Sequence, residues 1–228
     1  LHLSLRRQRQ MCIRDSVIFV NDGSTDKSAM LISNYAKVNK QFNLSLIDLP
    51  MNLGKAEAIR HGFNIASRDY EYLAFTDGDF ATPPKEIARM LRIAYQLDCD
   101  ALFGVRKAYK DNVIKTVWFR KFQGKFFNRL ANLILGIELE DPQCGMKIFR
   151  NTKEFRNAIQ QPFINPWLID LELILRLLQP NFSFKEVRLL DWTHQPKSKV
   201  KVKDPIYMLK DLFILRKVYR RSHFKGLD

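Results

Sequence analysis

Two carboxylates stand two residues apart in Asp77-Gly78-Asp79, directly after the apolar run YLAF at 72–75. In an extended segment, residues i and i+2 project to the same side, so this pair can hold a hard divalent cation such as Mg2+ or Mn2+. A cation held there would neutralise a diphosphate leaving group. Acidic residues around a glycine also build ordinary turns, but this string follows a buried strand, where parallel α/β sheets bind ligands. A second acidic turn, Asn21-Asp22-Gly23-Ser24, follows the run VIFV at 17–20, and Asp22, Ser24 and Asp26 can also build a turn and cap a helix. Asn52-Leu53-Gly54-Lys55 opens a helix, where free N–H groups and a lysine can stabilise phosphate charge, or where the four residues simply turn the chain. Asp170 and Glu172 lie in the apolar segment LIDLELIL. A solvated face competes with a site role for both; positions i and i+2 cannot share one helix face, and of the two Asp170 is favoured for the pocket while Glu172 stays open.

The elements that must position these groups alternate. VIFV is a buried parallel strand, followed by a helix capped by Ser24 or Thr25 with Leu31, Tyr35 and Val38 on one face. A strand at 44–48, a helix from Lys55 to Ala66, the strand at 72–75, a helix started by Pro83-Pro84 and a strand at 100–104 come next. This order predicts an α/β fold with an open, mostly parallel sheet and helices on both faces. Beyond it the spacing predicts a long aromatic and basic helix over 113–135, the loop 140–145, a helix over 167–178, a strand over 182–189 and a terminal helix over 205–221. Without an internal repeat or a Gly/Ser linker, residues 17–228 read as one domain: a first half to residue 110, a second half over 111–204 and a basic amphipathic helix over 205–228.

Composition narrows the function classes. The chain has 228 residues, 46% of them hydrophobic, enough for one core, and 27% are charged, which excludes collagen-like and disordered classes. No charge-free apolar run approaches the roughly 18 residues that span a bilayer. The three cysteines, Cys12, Cys99 and Cys144, form no Cys-x-x-Cys pair, and His61 and His194 lack metal-ligand spacing. A reducing, cytosolic setting fits this usage. The formal charge of +14 points to polyanionic partners, and from residue 197 onward ten Lys/Arg oppose three Asp. Trp118, Phe119, Phe122, Phe126 and Phe127 interleave with Arg120, Lys121, Lys125 and Arg129, a pattern open to core, nucleic-acid or membrane-surface use. The terminal helix repeats that composition, which favours a membrane surface and no nucleic acid. Residues 1–16, with four Arg, do not share the design of the rest and read as a non-native or disordered segment.

VIFVNDGSTD (17–26), NLGKAEAIRHG (52–62), FTDGDFATPP (75–84), DPQCGMKIF (141–149) and WLIDLEL (167–173) occur in this order. Together they resemble a family-2 glycosyltransferase of the GT-A fold, in the branch of polyprenyl-phosphate (dolichyl-phosphate) mannosyl- and glucosyltransferases. The resemblance covers residue 17 to the C-terminus. It implies a further strand and helix ahead of Val17, where this sequence has only residues 1–16.

The resemblance also implies roles. Asp22 would contact the nucleotide base or ribose, Lys55 would lie near the donor, and Asp77 and Asp79 would place the ribose and the Mg2+ or Mn2+ ion, with Asp79 as the direct ligand. Asp141 would act as base or orient the nucleophile near the acceptor, with Asp170 beside it in the pocket. Arg106, Arg120 and Gln143 would meet the acceptor's phosphate, and Lys199 belongs to a loop closing on the donor phosphates. The implied activity is inverting transfer of a sugar from a UDP- or GDP-sugar to a polyprenyl phosphate, by a cytoplasmic enzyme peripheral on the inner face of a membrane. Transfer to a sugar hydroxyl in polysaccharide or glycolipid synthesis is the alternative within the fold. A basic nucleic-acid-binding module is the alternative outside it, and would carry a basic face away from Asp77 and Asp79.

Overall fold

The computed structural model describes residues 16–107, 113–115, 118–166, 168–178, 180, 182–193 and 204–223, with the side chains of 113–126, 204–207 and 220–223 left out of the description. Chain contacts divide into two compact units, residues 1–70 and 71–228. The first unit contains β1 (Ser16–Asn21), α1 (Ser28–Val38), β2 (Asn43–Asp48) and α2 (Lys55–Ile65). β1 and β2 pair in parallel, Ser16 opposite Asn43 through Asn21 opposite Asp48. Parallel neighbours need a crossover, and α1 supplies it. α2 packs on β1, with Gly62 admitting the Val20 side chain so closely that a methyl there would lie 3.1 Å from Val20 Cγ2. Ala56 and Phe63 are the buried residues of α2.

α1 departs from expectation in two ways. It starts at Ser28, and neither Ser24 nor Thr25 caps it; instead Asp26 Oδ1 accepts the Ser28 N–H at 2.9 Å, a short-range turn that competes with a helical cap. Its apolar residues do not face a core either, since Leu31, Tyr35 and Val38 are 61%, 57% and 80% exposed.

The second unit contains β3 (Tyr72–Phe75), α3 (Pro84–Leu97), β4 (Ala101–Val105), β5 (Val113–Lys115), α4 (Trp118–Leu135), β6 (Lys147–Arg150), α5 (Lys153–Ala158), α6 (Ile169–Leu177), β7 (Phe184–Arg188), β8 (Asp191–Thr193) and α7 (Asp204–His223). Four strands form one sheet in the order β3-β6-β4-β7. β7 runs parallel to β4, but β6 lies antiparallel between β3 and β4, with Phe75 opposite Lys147 and Phe103 also opposite Lys147. A separate parallel ladder joins β5 to β8. Three of the four strands of this sheet run the same way, but the unpredicted antiparallel β6 makes two of its three ladders antiparallel; the β1–β2 and β5–β8 ladders are parallel. The single helix expected over 113–135 is a short strand followed by α4.

The core of this unit gathers where α3 meets the sheet: Met90, Ala94, Leu102, Cys144, Met146, Ile148 and Leu189 are fully buried. Phe149 stacks on Phe155 at 5.1 Å and contacts Phe103 at 5.8 Å, which ties α5 to the sheet. Among the described residues no helix is long and apolar enough to cross a membrane.

Candidate functional site

In the first unit the Asn21-Asp22-Gly23 turn grips the turn before α2. Asp22 accepts the N–H groups of Leu53 and Gly54 at 2.7 and 3.0 Å. Gly23 has φ +65°, and a methyl on it would lie 2.3 Å from the Met51 carbonyl carbon, so only glycine lets the two turns close. Asn21 donates to Asp48 at 2.7 Å and accepts the Ser24 N–H at 3.3 Å, joining the ends of β1 and β2. Lys55 stands at the first position of α2, beside N–H groups that Asp22 already receives.

In the second unit Asp77 and Asp79 follow β3 and both are exposed. Asp79 Oδ1 accepts the Ala81 N–H at 2.9 Å, and Phe80 between them takes φ +58°, a left-handed conformation that costs a bulky residue about 1–3 kcal/mol. Strain of that size at this turn marks a conformation the surroundings impose. Asp77 packs on the 140–145 loop: a methyl on Gly145 would lie 2.1 Å from Asp77 Oδ2. The structure thus brings the Asp77-Gly78-Asp79 turn against the loop that carries Asp141 and Gln143.

That loop is held by charged groups on three neighbouring segments. Arg106, just beyond β4, donates from Nε and Nη2 to the two Asp141 oxygens at 2.7 and 2.8 Å, and its backbone N–H adds a third bond at 3.0 Å. Burial alone would push the Asp141 carboxyl up, but these bonds and the guanidinium charge hold it below its ordinary value. The same pairing keeps Arg106 above its ordinary value against the opposing effect of burial. Glu186 on β7 accepts the N–H groups of Glu140 at 2.9 Å and Asp141 at 3.2 Å. Burial raises its pKa, and those N–H groups offset only part of the rise. Glu140 also pairs with Lys107. Lys147 on β6 donates to the Cys144 carbonyl at 2.6 Å. Cys144 supports the loop from inside, fully buried, its thiol pushed up to about 11 by burial.

Asp170 does not face solvent. It is 3% exposed, and Oδ1 accepts from the wholly buried Lys147 at 2.9 Å. Glu172 points elsewhere, as positions i and i+2 require. It accepts from Arg176 at 2.7 Å, from the Tyr219 hydroxyl at 2.9 Å and from the Ile164 N–H at 2.8 Å, which is a structural clamp rather than a solvated face. The Arg120 side chain and Lys199 lie outside the described residues. Lys147, Glu186 and the strained Phe80 were not singled out from the sequence. A lysine inside the apolar string CGMKIF was the one available signal.

The donor set fits a magnesium-like ion. Such ions take one or two carboxylates and complete their shell with phosphate oxygens and water, and Asp77 and Asp79 offer exposed carboxylates for that arrangement. Among the described residues no cluster of three or more His, Cys, Asp or Glu forms an all-protein cage.

The family model described as glycosyl transferase family 2 matches residues 2–154. The chain belongs to this family. The dolichyl-phosphate beta-glucosyltransferase of Dictyostelium discoideum is 28% identical across 94% of the chain, which spans 66% of that protein. The dodecaprenyl-phosphate galacturonate synthase of Rhizobium johnstonii is 33% identical across 60% of the chain, which spans 38% of it. The fold matches the Mycobacterium tuberculosis glucosyl-3-phosphoglycerate synthase, solved with Mn2+, UDP-glucose and phosphoglyceric acid, at a TM-score of 0.62 and 17% identity, covering 89% of this chain and 68% of that one. The family-2 chain therefore has the GT-A type of α/β fold.

Proposed function

We propose that this chain transfers a sugar from a nucleoside-diphosphate donor to a polyprenyl-type lipid phosphate, with inversion at the anomeric carbon. The Arg106–Asp141 pair carries the choice of acceptor. A hydroxyl nucleophile must lose its proton as it attacks, and the base for that step needs a pKa near the working pH. Asp141, held below its ordinary value by Arg106, is a poor base. A phosphate monoester carries its negative charge at neutral pH and needs no such base. The Dictyostelium and Rhizobium relatives, named as a dolichyl-phosphate glucosyltransferase and a dodecaprenyl-phosphate galacturonate synthase, support the same acceptor class.

In this reading a phosphate oxygen attacks the anomeric carbon as the bond to the nucleoside diphosphate breaks, giving a β-linked product. Arg106 has N–H groups beyond the two it gives Asp141 and, with Gln143 and Arg120, would orient the acceptor phosphate. Asp141 would orient Arg106. Asp77 and Asp79 would hold a Mg2+ or Mn2+ ion, which supplies charge neutralisation for the departing diphosphate. Asp22, Lys55 and Lys199 are assigned to the nucleotide and its phosphates, and the Mn2+ and UDP-glucose in the mycobacterial structure support that type of donor.

A peripheral contact with an anionic membrane, on the cytoplasmic side, fits the acceptor. On α7, Lys210, Phe213, Ile214, Lys217 and Val218 repeat at i, i+3, i+4, i+7 and i+8 and all are exposed, while Leu212 and Leu215 are buried on the other face.

Calorimetric titration of UDP-glucose and GDP-mannose, with and without Mn2+, tests the donor site, and transfer to a polyprenyl phosphate tests the acceptor. Manganese-dependent donor binding that the Asp79→Ala variant loses is expected. A folded chain that binds neither donor overturns the proposal.

A further inference from the structure

We infer that Lys147, paired with Asp170, is a positioning residue that fixes Asp77 through the Cys144–Gly145 peptide. The inference rests on the reading of Asp77 as a metal-holding carboxylate. The side chains of Lys147 and Asp170 are 0% and 4% exposed. Withdrawing both charges from water costs several kcal/mol each, and well-packed apolar residues of similar volume often serve stability as well or better. Stability alone therefore gives no reason for a buried pair here. What an apolar pair could not supply is the directed bond from Lys147 Nζ to the Cys144 carbonyl at 2.6 Å.

That carbonyl belongs to the peptide leading into Gly145, and Gly145 lies flush against the Asp77 carboxylate, where a methyl would come within 2.1 Å of Oδ2 and 2.7 Å of Cγ. The backbone of Lys147 meanwhile pairs with Phe75, two residues before Asp77. One residue thus fixes the Asp77 turn twice, from the strand that enters it and from the loop packed on it. Asp170, in the first turn of α6, makes that helix the base of the arrangement. The rings of Phe75 and Phe103, each 5.9 Å from Nζ, leave the ammonium in an apolar enclosure where its hydrogen bonds gain strength.

The test uses the full chain and two variants. Lys147→Met combined with Asp170→Leu removes both charges of the pair together, and the variant is expected to melt near the wild-type temperature. Its hydrogen exchange over 141–145 should speed up. The gain in UDP or GDP affinity that Mn2+ provides should fall about tenfold, the lower end for residues supporting metal ligands, while affinity without metal stays the same. A merely structural role would shift the melting temperature and leave that metal-dependent gain intact. Gly145→Ala, whose backbone does not need a left-handed φ, displaces Asp77 directly and should reproduce the loss with the Lys147–Asp170 pair intact. A folded double variant with wild-type exchange and a wild-type manganese effect overturns the inference. A wild-type chain that binds neither nucleotide overturns the reading of Asp77, and the exchange rates then decide by themselves whether Lys147 holds the loop.

Discussion

Asp141 and Arg106 fix one another's charge. Because the Asp141 pKa is lower in the folded chain, the native state binds fewer protons there than the unfolded state. Its contribution to stability is therefore complete above the ordinary carboxylate value near pH 4 and is lost as pH falls through the folded value. The difference in unfolding free energy between wild type and Asp141→Asn should shrink between pH 7 and pH 3; a constant difference would contradict the ion pair. Arg106→Met, which leaves the Asp141 charge without its partner, should cost about 3 kcal/mol at pH 7 in chemical denaturation. Asp141 entered only through the family resemblance, whereas Asp77 and Asp79 were legible because carboxylates right after an apolar run stand out in a sequence. Lys147 was not, since its meaning depends on Asp170, and a lone lysine in a strand looks like any solvated charge until its partner across the fold is known.

Among the elements, α6 and α7 show how a charge inside a helix can serve packing. Glu172 collects Arg176 from its own helix and Tyr219 from α7, and Arg176 in turn donates to the Tyr219 hydroxyl at 3.0 Å and to the Ala158 carbonyl at 2.7 Å. Removing the carboxylate by Glu172→Ala should cost about 3 kcal/mol, because the Arg176 charge keeps its hydroxyl and carbonyl acceptors but loses its counter-charge. Tyr219→Phe removes one hydroxyl and should cost roughly 1 kcal/mol. Equal costs in equilibrium denaturation would refute this division of labour. Most element positions could be read from hydrophobic pattern: β3 falls at 72–75 as expected, α3 starts at Pro84, and α6 and β7 lie within the expected ranges. β6 could not, because its pairing with β3 and β4 is a long-range choice and KIFR is too short to show a period. The exposed apolar face of α1 also escaped, since periodicity reveals a face but not what covers it.

For the whole molecule, the charge of +14 suits attraction to polyanionic surfaces, and the α7 stripe gives that attraction an apolar contact. Each lysine near an anionic bilayer contributes about 1 kcal/mol, so Lys210→Glu with Lys217→Glu should weaken binding to phosphatidylserine vesicles by about thirtyfold or more. Salt should weaken wild-type binding in the same direction, and sedimentation at rising ionic strength checks both. The antiparallel insertion of β6 carries a different consequence. β6 pairs Arg150 with Tyr72 of β3, so the support that β6 and the loop before it give the Asp77-Gly78-Asp79 turn is missing when the turn's own residues leave the ribosome. It waits until the chain has grown through Arg150, closing a long loop at an entropic cost that slows folding. Half-synthesised chains carry every atom of the acidic turn and its own Asp79–Ala81 bond, but not the loop that packs on Asp77.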